Sequence, residues 1–242
     1  MQLTDVSVLF RVPTQRILSF KEYVLQRLAM RIHYRDLWAL RGVSLDILPG
    51  ETFGIVGRNG AGKSTLLKVI CRVLRPTGGR VVIRGRVAPL LELGAGFHPD
   101  LTGRENVVMN ATILGYSRAA ILEAMDEIID FSELEGFIDA PIRTFSSGMT
   151  ARLGFAVATQ FRPEVLVLDE VLAVGDVGFQ EKCLARIHGF REQGTTILLV
   201  SHSLDTIEGH CDRAAWLDQG RIAALGIPSE VLPQYADAMA AV

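Results

Sequence analysis

The sequence predicts an α/β fold of the phosphate-loop nucleotide-binding type, and three observations carry that prediction. Gly57 to Thr65 reads GRNGAGKST and fits G-x-x-x-x-G-K-[ST], with a strand-like run, Glu51–Val56, before it and a helix-like run, Leu66–Val73, after it. Val165–Leu168 is short and wholly apolar, as are strands buried on both faces of a parallel sheet, and Thr195–Val200 reads as a second buried strand. About half of the 242 residues are hydrophobic, enough for a sizeable core in one α/β domain.

The remaining elements follow in order. Met1–Val12 alternates apolar and polar residues and reads as a first strand, which Pro13 should end. Ile17–Met30 places Ile17, Phe20, Val24 and Leu28 at helical spacing, with Lys21, Glu22, Gln26 and Arg27 between them, an amphipathic helix by period. Leu40–Leu48 alternates again and ends at Pro49-Gly50, so a strand–turn–strand feeds the phosphate loop. Gly78–Val87 is a short Gly-punctuated β segment. Asn106–Gly115, Arg118–Phe131 and Met149–Phe161 are helical by pattern and form a block between two β regions. Cys183–Gln193 is a helix between the two buried strands. Ala214–Leu217 and Arg221–Leu225 flank Asp218-Gln219-Gly220 and read as a hairpin. Pro228–Val242 is a helix-like tail.

Composition excludes several classes of protein. A net charge of −2 leaves no footprint for general nucleic-acid binding. The N-terminal region is locally basic, through Arg11, Arg16, Lys21, Arg27, Arg31 and Arg35. Cys71, Cys183 and Cys211 lack metal-ligand spacing and are expected to be buried or incidental thiols. No apolar run approaches a membrane span, and the N-terminus has no signal-peptide core, so a cytoplasmic chain that attaches to a membrane partner is expected.

The chemistry gathers at a few positions. Backbone N–H groups of the glycine-rich loop close around phosphate oxygens, and the following helix N-terminus adds partial positive charge. The expected nucleotide contacts are Gly57, Asn59, Gly60, Ala61, Gly62, Lys63, Ser64 and Thr65. Lys63 would reach the β- and γ-phosphates of ATP or GTP, and Ser64 would hold Mg²⁺. Val165–Leu168 ends in Asp169-Glu170, where ligands of an open parallel sheet sit. Asp169 is placed to bind Mg²⁺ and Glu170 to polarise the attacking water. His202 ends the next strand and can reach the γ-phosphate side. Phe145-Ser146-Ser147-Gly148-Met149 opens the helix that carries Arg152, which makes either an anion site or an ordinary N-cap.

In this order, the motifs resemble the nucleotide-binding subunit of an ATP-binding cassette (ABC) transporter. Gly57–Ser64 matches the Walker A motif, Phe145–Met149 stands at the LSGGQ signature, and Val165–Asp169 matches Walker B with Glu170 as the catalytic glutamate. Ala173-Val174-Gly175-Asp176 stands at the D-loop and His202 at the switch histidine. The resemblance implies a RecA-like core with a mixed sheet, an antiparallel β subdomain and a helical subdomain at about residues 100–160. It implies one domain over 1–242, with an insertion at 13–36. It also implies a head-to-tail homodimer, in which ATP and Mg²⁺ on one subunit are completed by Ser146, Ser147 and Gly148 of the other, with Asp176 nearby. The adenine is expected on Tyr34, with Trp38 as the alternative.

Three departures from the family pattern stand out. Ser147 and Met149 replace a Gly and the Gln of LSGGQ, Leu93 falls where the Q-loop has its Gln, with Glu92 beside it as the candidate Mg²⁺ contact, and Gly175 replaces a Leu. Leu90–Asn106, Phe145–Thr159 and Asp169–Cys183 are similar to the ATPases of O-antigen, capsule and teichoic-acid exporters. That group carries a short helix near the membrane interface where this chain has Ile17–Met30, and Arg16, Lys21, Arg27 and Arg31 suit anionic headgroups there. The implied partners are a dimeric integral-membrane subunit and a lipid-linked polysaccharide as cargo, with the chain on the cytoplasmic face of the inner membrane. Leu90–Pro99 would dock the membrane partner, with Phe97 and His98 as candidate contacts. The chain ends at Val242 without the carbohydrate-recognising β-sandwich that some members append, so export coupled to synthesis is expected. An importer ATPase and a soluble cassette ATPase are the competing readings.

Overall fold

The computed structural model describes residues 1–14, 34–90, 93–169, 175–201 and 203–240. The Ile17–Met30 segment, Glu92, Glu170, Ala173, Val174 and His202 lie outside the described residues.

β1 (Gln2–Pro13) pairs antiparallel with β2 (Tyr34–Asp46) from Gln2↔Asp46 to Pro13↔Tyr34. Pro13, expected to end the strand, is its last paired residue, and Tyr34–Asp36 are strand as well. The ribbon therefore extends into the 13–36 stretch read as an insertion. β3 (Thr52–Val56) is buried at every position and leads into the phosphate loop. α1 (Lys63–Ile70), with Gly62 as its N-cap, starts three residues before the expected Leu66 and stops three before the expected Val73, because Arg72 turns into the left-handed region at φ 60°. Gly78–Val87, read as one β segment, divides between two sheets. β4 (Gly78–Val82) joins β1, and β5 (Val87–Leu90) joins the parallel sheet.

The helical block begins with α2 (Gly103–Ile113), three residues before the expected start. Thr102 caps it, with Glu105 reaching back to complete a capping box. Arg118–Phe131, read as one helix, is α3 (Arg118–Glu123) and α4 (Met125–Ser132), separated at Ala124. α5 (Ser147–Thr159) follows and leads to β6 (Val165–Asp169). α6 (Val177–Glu192) starts six residues before the expected Cys183, capped by Asp176. β7 (Thr196–Val200) is followed by α7 (Leu204–His210), a helix the apolar pattern does not signal but the Ser203 cap does. β8 (Arg213–Asp218) and β9 (Arg221–Gly226) form the expected hairpin, turning through Gln219 at φ 45° and Gly220 at φ 78°. α8 (Pro228–Ala240) closes the described chain.

The strands form a three-stranded antiparallel sheet, β2-β1-β4, and a six-stranded mixed sheet, β5-β6-β7-β3-β8-β9, parallel except for β9. α1 lies between the two sheets. Its Leu66, Leu67, Val69 and Ile70 pack with Leu3 and Val8 on one side and with Phe53, Ile55 and Val167 on the other. The opposite face of the mixed sheet is covered by α5, α6, α7 and α8 through Phe155, Phe179, Ile207 and Val231. Leu153, Ala156 and Val157 of α5 also belong to the separate core of the helical block, with Val107, Ile121 and Ile128. One helix is thus shared by two cores. Leu153 is fully buried, so Leu153→Ala should lower the unfolding free energy by about 3 kcal/mol in urea denaturation, through lost transfer energy and a residual cavity.

Candidate functional site

The phosphate loop is shaped by close backbone contacts. A Cβ on Gly62 would lie 2.5 Å from Ala39 O, so only glycine lets β2 pass so near the loop. Gly220 N–H of the β8–β9 turn donates to Ala61 O, and Arg41 N–H donates to Gly220 O, which ties the loop to both sheets. Lys63, only 8% exposed, donates its ammonium to Gly57 O at 2.7 Å and to Arg58 O at 3.2 Å, across the curve of the loop. An ammonium beside a helix N-terminus suits an anion.

Ser64, the second residue of α1, and Asp169, the last of β6, line one cleft of about 600 Å³. The sequence separates these two oxygen donors by more than a hundred residues, and the fold brings them to the same space. A hydroxyl and a carboxylate suit a hard cation such as Mg²⁺. The cleft runs on between the mixed sheet and the helical block, past Leu93, Gly94 and Asn110. Its rim carries Val73 and Ile113, which are 70% and 72% exposed. Of the candidate docking contacts, Phe97 is half-buried against the helical core, and the exposed His98 accepts from Asp100 N–H and donates its backbone N–H to Asn106 Oδ1.

Ser146 caps α5, its Oγ accepting from Met149 N–H at 3.1 Å. The N-cap is present, and the exposed Ser146 and Ser147 stand at a helix N-terminus whose remaining N–H groups suit an anion. Tyr34 and Trp38 both lie on β2 and are both exposed. Trp38 is the nearer in sequence to Ala39, the strand's contact with the loop.

Behind the helix N-terminus sits a charge network that sequence reasoning missed. Arg152 of α5 donates to Glu133 Oε2 at 2.7 Å and to Asp176 Oδ2 at 2.5 Å, and its guanidinium lies 4.8 Å from the Phe179 ring centre. Lys182 adds a second cation on Glu133, at 2.7 Å. Glu133 ends α4 in the left-handed conformation, φ 57°. Asp176 is held below the usual carboxylate range first by Phe179 N–H and then by Arg152, and Glu133 first by Lys182 and then by Arg152. No local pattern signals these pairs, which join residues 19 to 49 positions apart.

Among the described residues no cluster of three His, Cys, Asp or Glu side chains forms. Burial pushes the thiols of Cys71, Cys183 and Cys211 up to about 12, so none is a ready ligand or nucleophile.

The sequence model of the family described as "ABC transporter" matches residues 40–173. The chain is 52% identical, over 98% of its length, to the O-antigen export system ATP-binding protein RfbB of Myxococcus xanthus. The chain belongs to the ABC transporter family. It spans only 55% of that relative's length. It is also 49% identical to RfbB of Klebsiella pneumoniae, over 85% of this chain and 84% of that one. Against the teichoic acids export ATP-binding protein TagH of Enterococcus faecalis the identity is 48%, over 82% of this chain and 44% of the relative. Among solved structures, the ATP-binding cassette MJ0796, a dimer in a post-hydrolysis state bound to ADP and Pi, has the same fold. It superposes with a TM-score of 0.72 at 21% identity, over 94% of this chain and 98% of that one.

Within the ABC family pattern, two of the departures now have structural causes. Met149 is half-buried against the helical core, where an apolar side chain is favoured. Gly175 adopts φ +71°, and a Cβ there would lie 3.0 Å from Arg152 Nε and 3.2 Å from Phe179 Cβ, so a leucine would push on the network. Gly175→Leu should destabilise the fold by about 1–3 kcal/mol in chemical denaturation. Arg152→Ala should also destabilise it, and the double variant should lose clearly less than the sum, because the two sites act on the same contact.

The carboxylate of Asp176 yields a pH prediction. Its folded pKa lies below the ordinary 3.8, so its contribution is complete above that value and disappears as pH falls through the depressed one. Asp176→Asn should therefore lower the melting temperature at pH 7, and the gap from wild type should narrow as pH falls below 3.8.

Proposed function

We propose that this chain is the ATP-hydrolysing motor subunit of an ABC exporter that moves lipid-linked polysaccharide across the cytoplasmic membrane. The cargo is of the O-antigen, capsule or teichoic-acid type. The observation that carries the reading is the near-50% identity to two O-antigen export ATP-binding proteins across a chain in which Ser64, from the phosphate-loop motif, and Asp169 line one cleft.

In this reading two copies pair head to tail. The phosphate loop from Gly57 to Thr65, with Asn59 and Ala61, cradles the ATP phosphates. Lys63 shifts from its carbonyl partners to the β- and γ-oxygens. Tyr34 stacks on the adenine, an aromatic face exposed for that purpose. Ser64 and Asp169 hold Mg²⁺, with Glu92 adjacent in sequence to the Q-loop position. When bound, the ion neutralises charge developing between the β- and γ-phosphates. The partner copy offers Ser146, Ser147 and Gly148 at the N-terminus of α5, where partial positive charge meets the γ-phosphate. Glu170 accepts the proton of the attacking water, and His202 stabilises the γ-phosphate as it leaves. Asp176 sits where the D-loops would meet, braced by Arg152.

The cleft between the mixed sheet and the helical block is the docking place for a cytoplasmic helix of a dimeric membrane subunit. Its exposed apolar rim, Val73 and Ile113, is what such a helix would cover. No helix of the described residues is long and apolar enough to cross a membrane, which fits a peripheral place on the cytoplasmic face beneath a separate channel.

Glu170→Gln should reduce ATP hydrolysis by at least about a hundredfold while leaving ATP binding intact, and ATP should then hold the variant as a dimer in size-exclusion chromatography. Hydrolysis at a third of the wild-type rate or more would show that Glu170 is not the base.

A further inference from the structure

The chain carries 25 Lys and Arg against 27 Asp and Glu, yet residues 52–91 hold eight Lys and Arg and no acidic residue. Two of the eight, Arg58 and Lys63, belong to the phosphate loop, and Arg86 pairs with Glu164 at 3.7 Å. The other five, Lys68, Arg72, Arg75, Arg80 and Arg84, are all exposed. None of them meets a carboxylate among the described residues.

The fold gathers these cations. Arg72, just past α1, donates its guanidinium to Ile83 O at 2.9 Å, which sets it beside Arg84. Val73 and Leu74 donate their N–H groups back to Lys68 O, folding the 71–77 loop under the end of α1. Arg80 lies on β4, opposite Thr4 of β1. The loop is bonded to β1 as well, through Leu9 N–H to Thr77 Oγ1 at 3.0 Å and Thr77 N–H to Ser7 O at 2.7 Å. The neighbouring ribbon exposes Phe10, Val12 and Leu37. Lys68 and Val73 also line the rim of the cleft.

Like charges left unpaired on one surface repel one another, and a partner of opposite sign relieves that repulsion. The cations are spread over a helix end, a loop and a strand edge, with no pocket converging on a single group. Such a layout suits a plane of negative charge better than a discrete ligand, and exposed apolar side chains next to it suit the same plane. From this layout, we infer that Lys68, Arg72, Arg75, Arg80 and Arg84 form a basic face that seats on the anionic lipid headgroups of the cytoplasmic leaflet. The orientation rests on the motor reading above, in which the adjoining cleft faces the membrane subunit.

The test is co-sedimentation of the full chain with vesicles of 30% phosphatidylglycerol in phosphatidylcholine, against pure phosphatidylcholine. It compares wild type with the triple variant Arg75→Gln, Arg80→Gln and Arg84→Gln, whose side chains make no hydrogen bond or ion pair among the described residues. Wild type should bind the anionic vesicles and lose that binding as salt rises through the range where headgroup charge is screened. The triple variant should bind about a hundredfold more weakly, about fivefold for each cation removed. Binding of the variant within twofold of wild type would overturn the proposal. So would unchanged vesicle binding combined with lost capture of a co-expressed membrane subunit, which would assign the face to an acidic protein segment. ATP hydrolysis by the same samples reports on the motor reading separately, since none of the three residues belongs to the nucleotide site.

Discussion

Helix α5 cannot move without disturbing two cores, and the rest of the site depends on that constraint. Its Leu153, Ala156 and Val157 are buried in the helical block, while Phe155 and Ala158 are buried under the mixed sheet. Close-packed interiors transmit displacement because they have few voids to absorb it. The N-terminus of this helix, capped by Ser146, is therefore presented at a fixed position relative to the sheet that carries the phosphate loop. Arg152 adds a polar strut to the same helix, joining it to Asp176 at the start of α6 and to Glu133 at the end of α4. The end of α4, helix α5 and the start of α6 are thus linked by charge, and packing ties α5 to both cores.

The electrostatics divide the surface by task. The carboxylates with clear pKa shifts in the D-loop network are lowered by backbone N–H groups and by Lys182 and Arg152, so they remain charged anchors near neutral pH. Cations dominate the phosphate loop and its continuation through β4, where no acidic residue interrupts them. An overall charge of −2 conceals this separation, because the acidic residues lie elsewhere in the chain. The cleft takes Lys68 from the cationic stretch and sets it in the same lining as Ser64 and the carboxylate of Asp169.

Much of the fold was legible in the sequence because its strongest signals are local. The buried strands β3, β6 and β7, the phosphate loop, the β8–β9 turn and the signature helix each carry their own pattern. Missed helix starts had readable signals too, in the capping box of Thr102 and Glu105 and in the Asp176 and Ser203 caps. The division of Gly78–Val87 between two sheets was not legible, since local alternation does not say which strand will be the neighbour. Pro13 misled for a related reason, because a residue that cannot donate can still pair at a strand end. At the site, Lys63, Ser64 and Asp169 were readable from motifs, but the Glu133–Arg152–Lys182 contacts arise only from tertiary packing. The candidate base Glu170 and the histidine His202 lie outside the described residues, so their places rest on sequence.

Whether this cassette works beneath a membrane channel is tested most directly by affinity purification of the chain from detergent-solubilised native membranes, with partners identified by mass spectrometry. A stoichiometric polytopic membrane protein should be recovered with it. Recovery of soluble partners alone, such as ribosomal or DNA-associated proteins, would contradict that role.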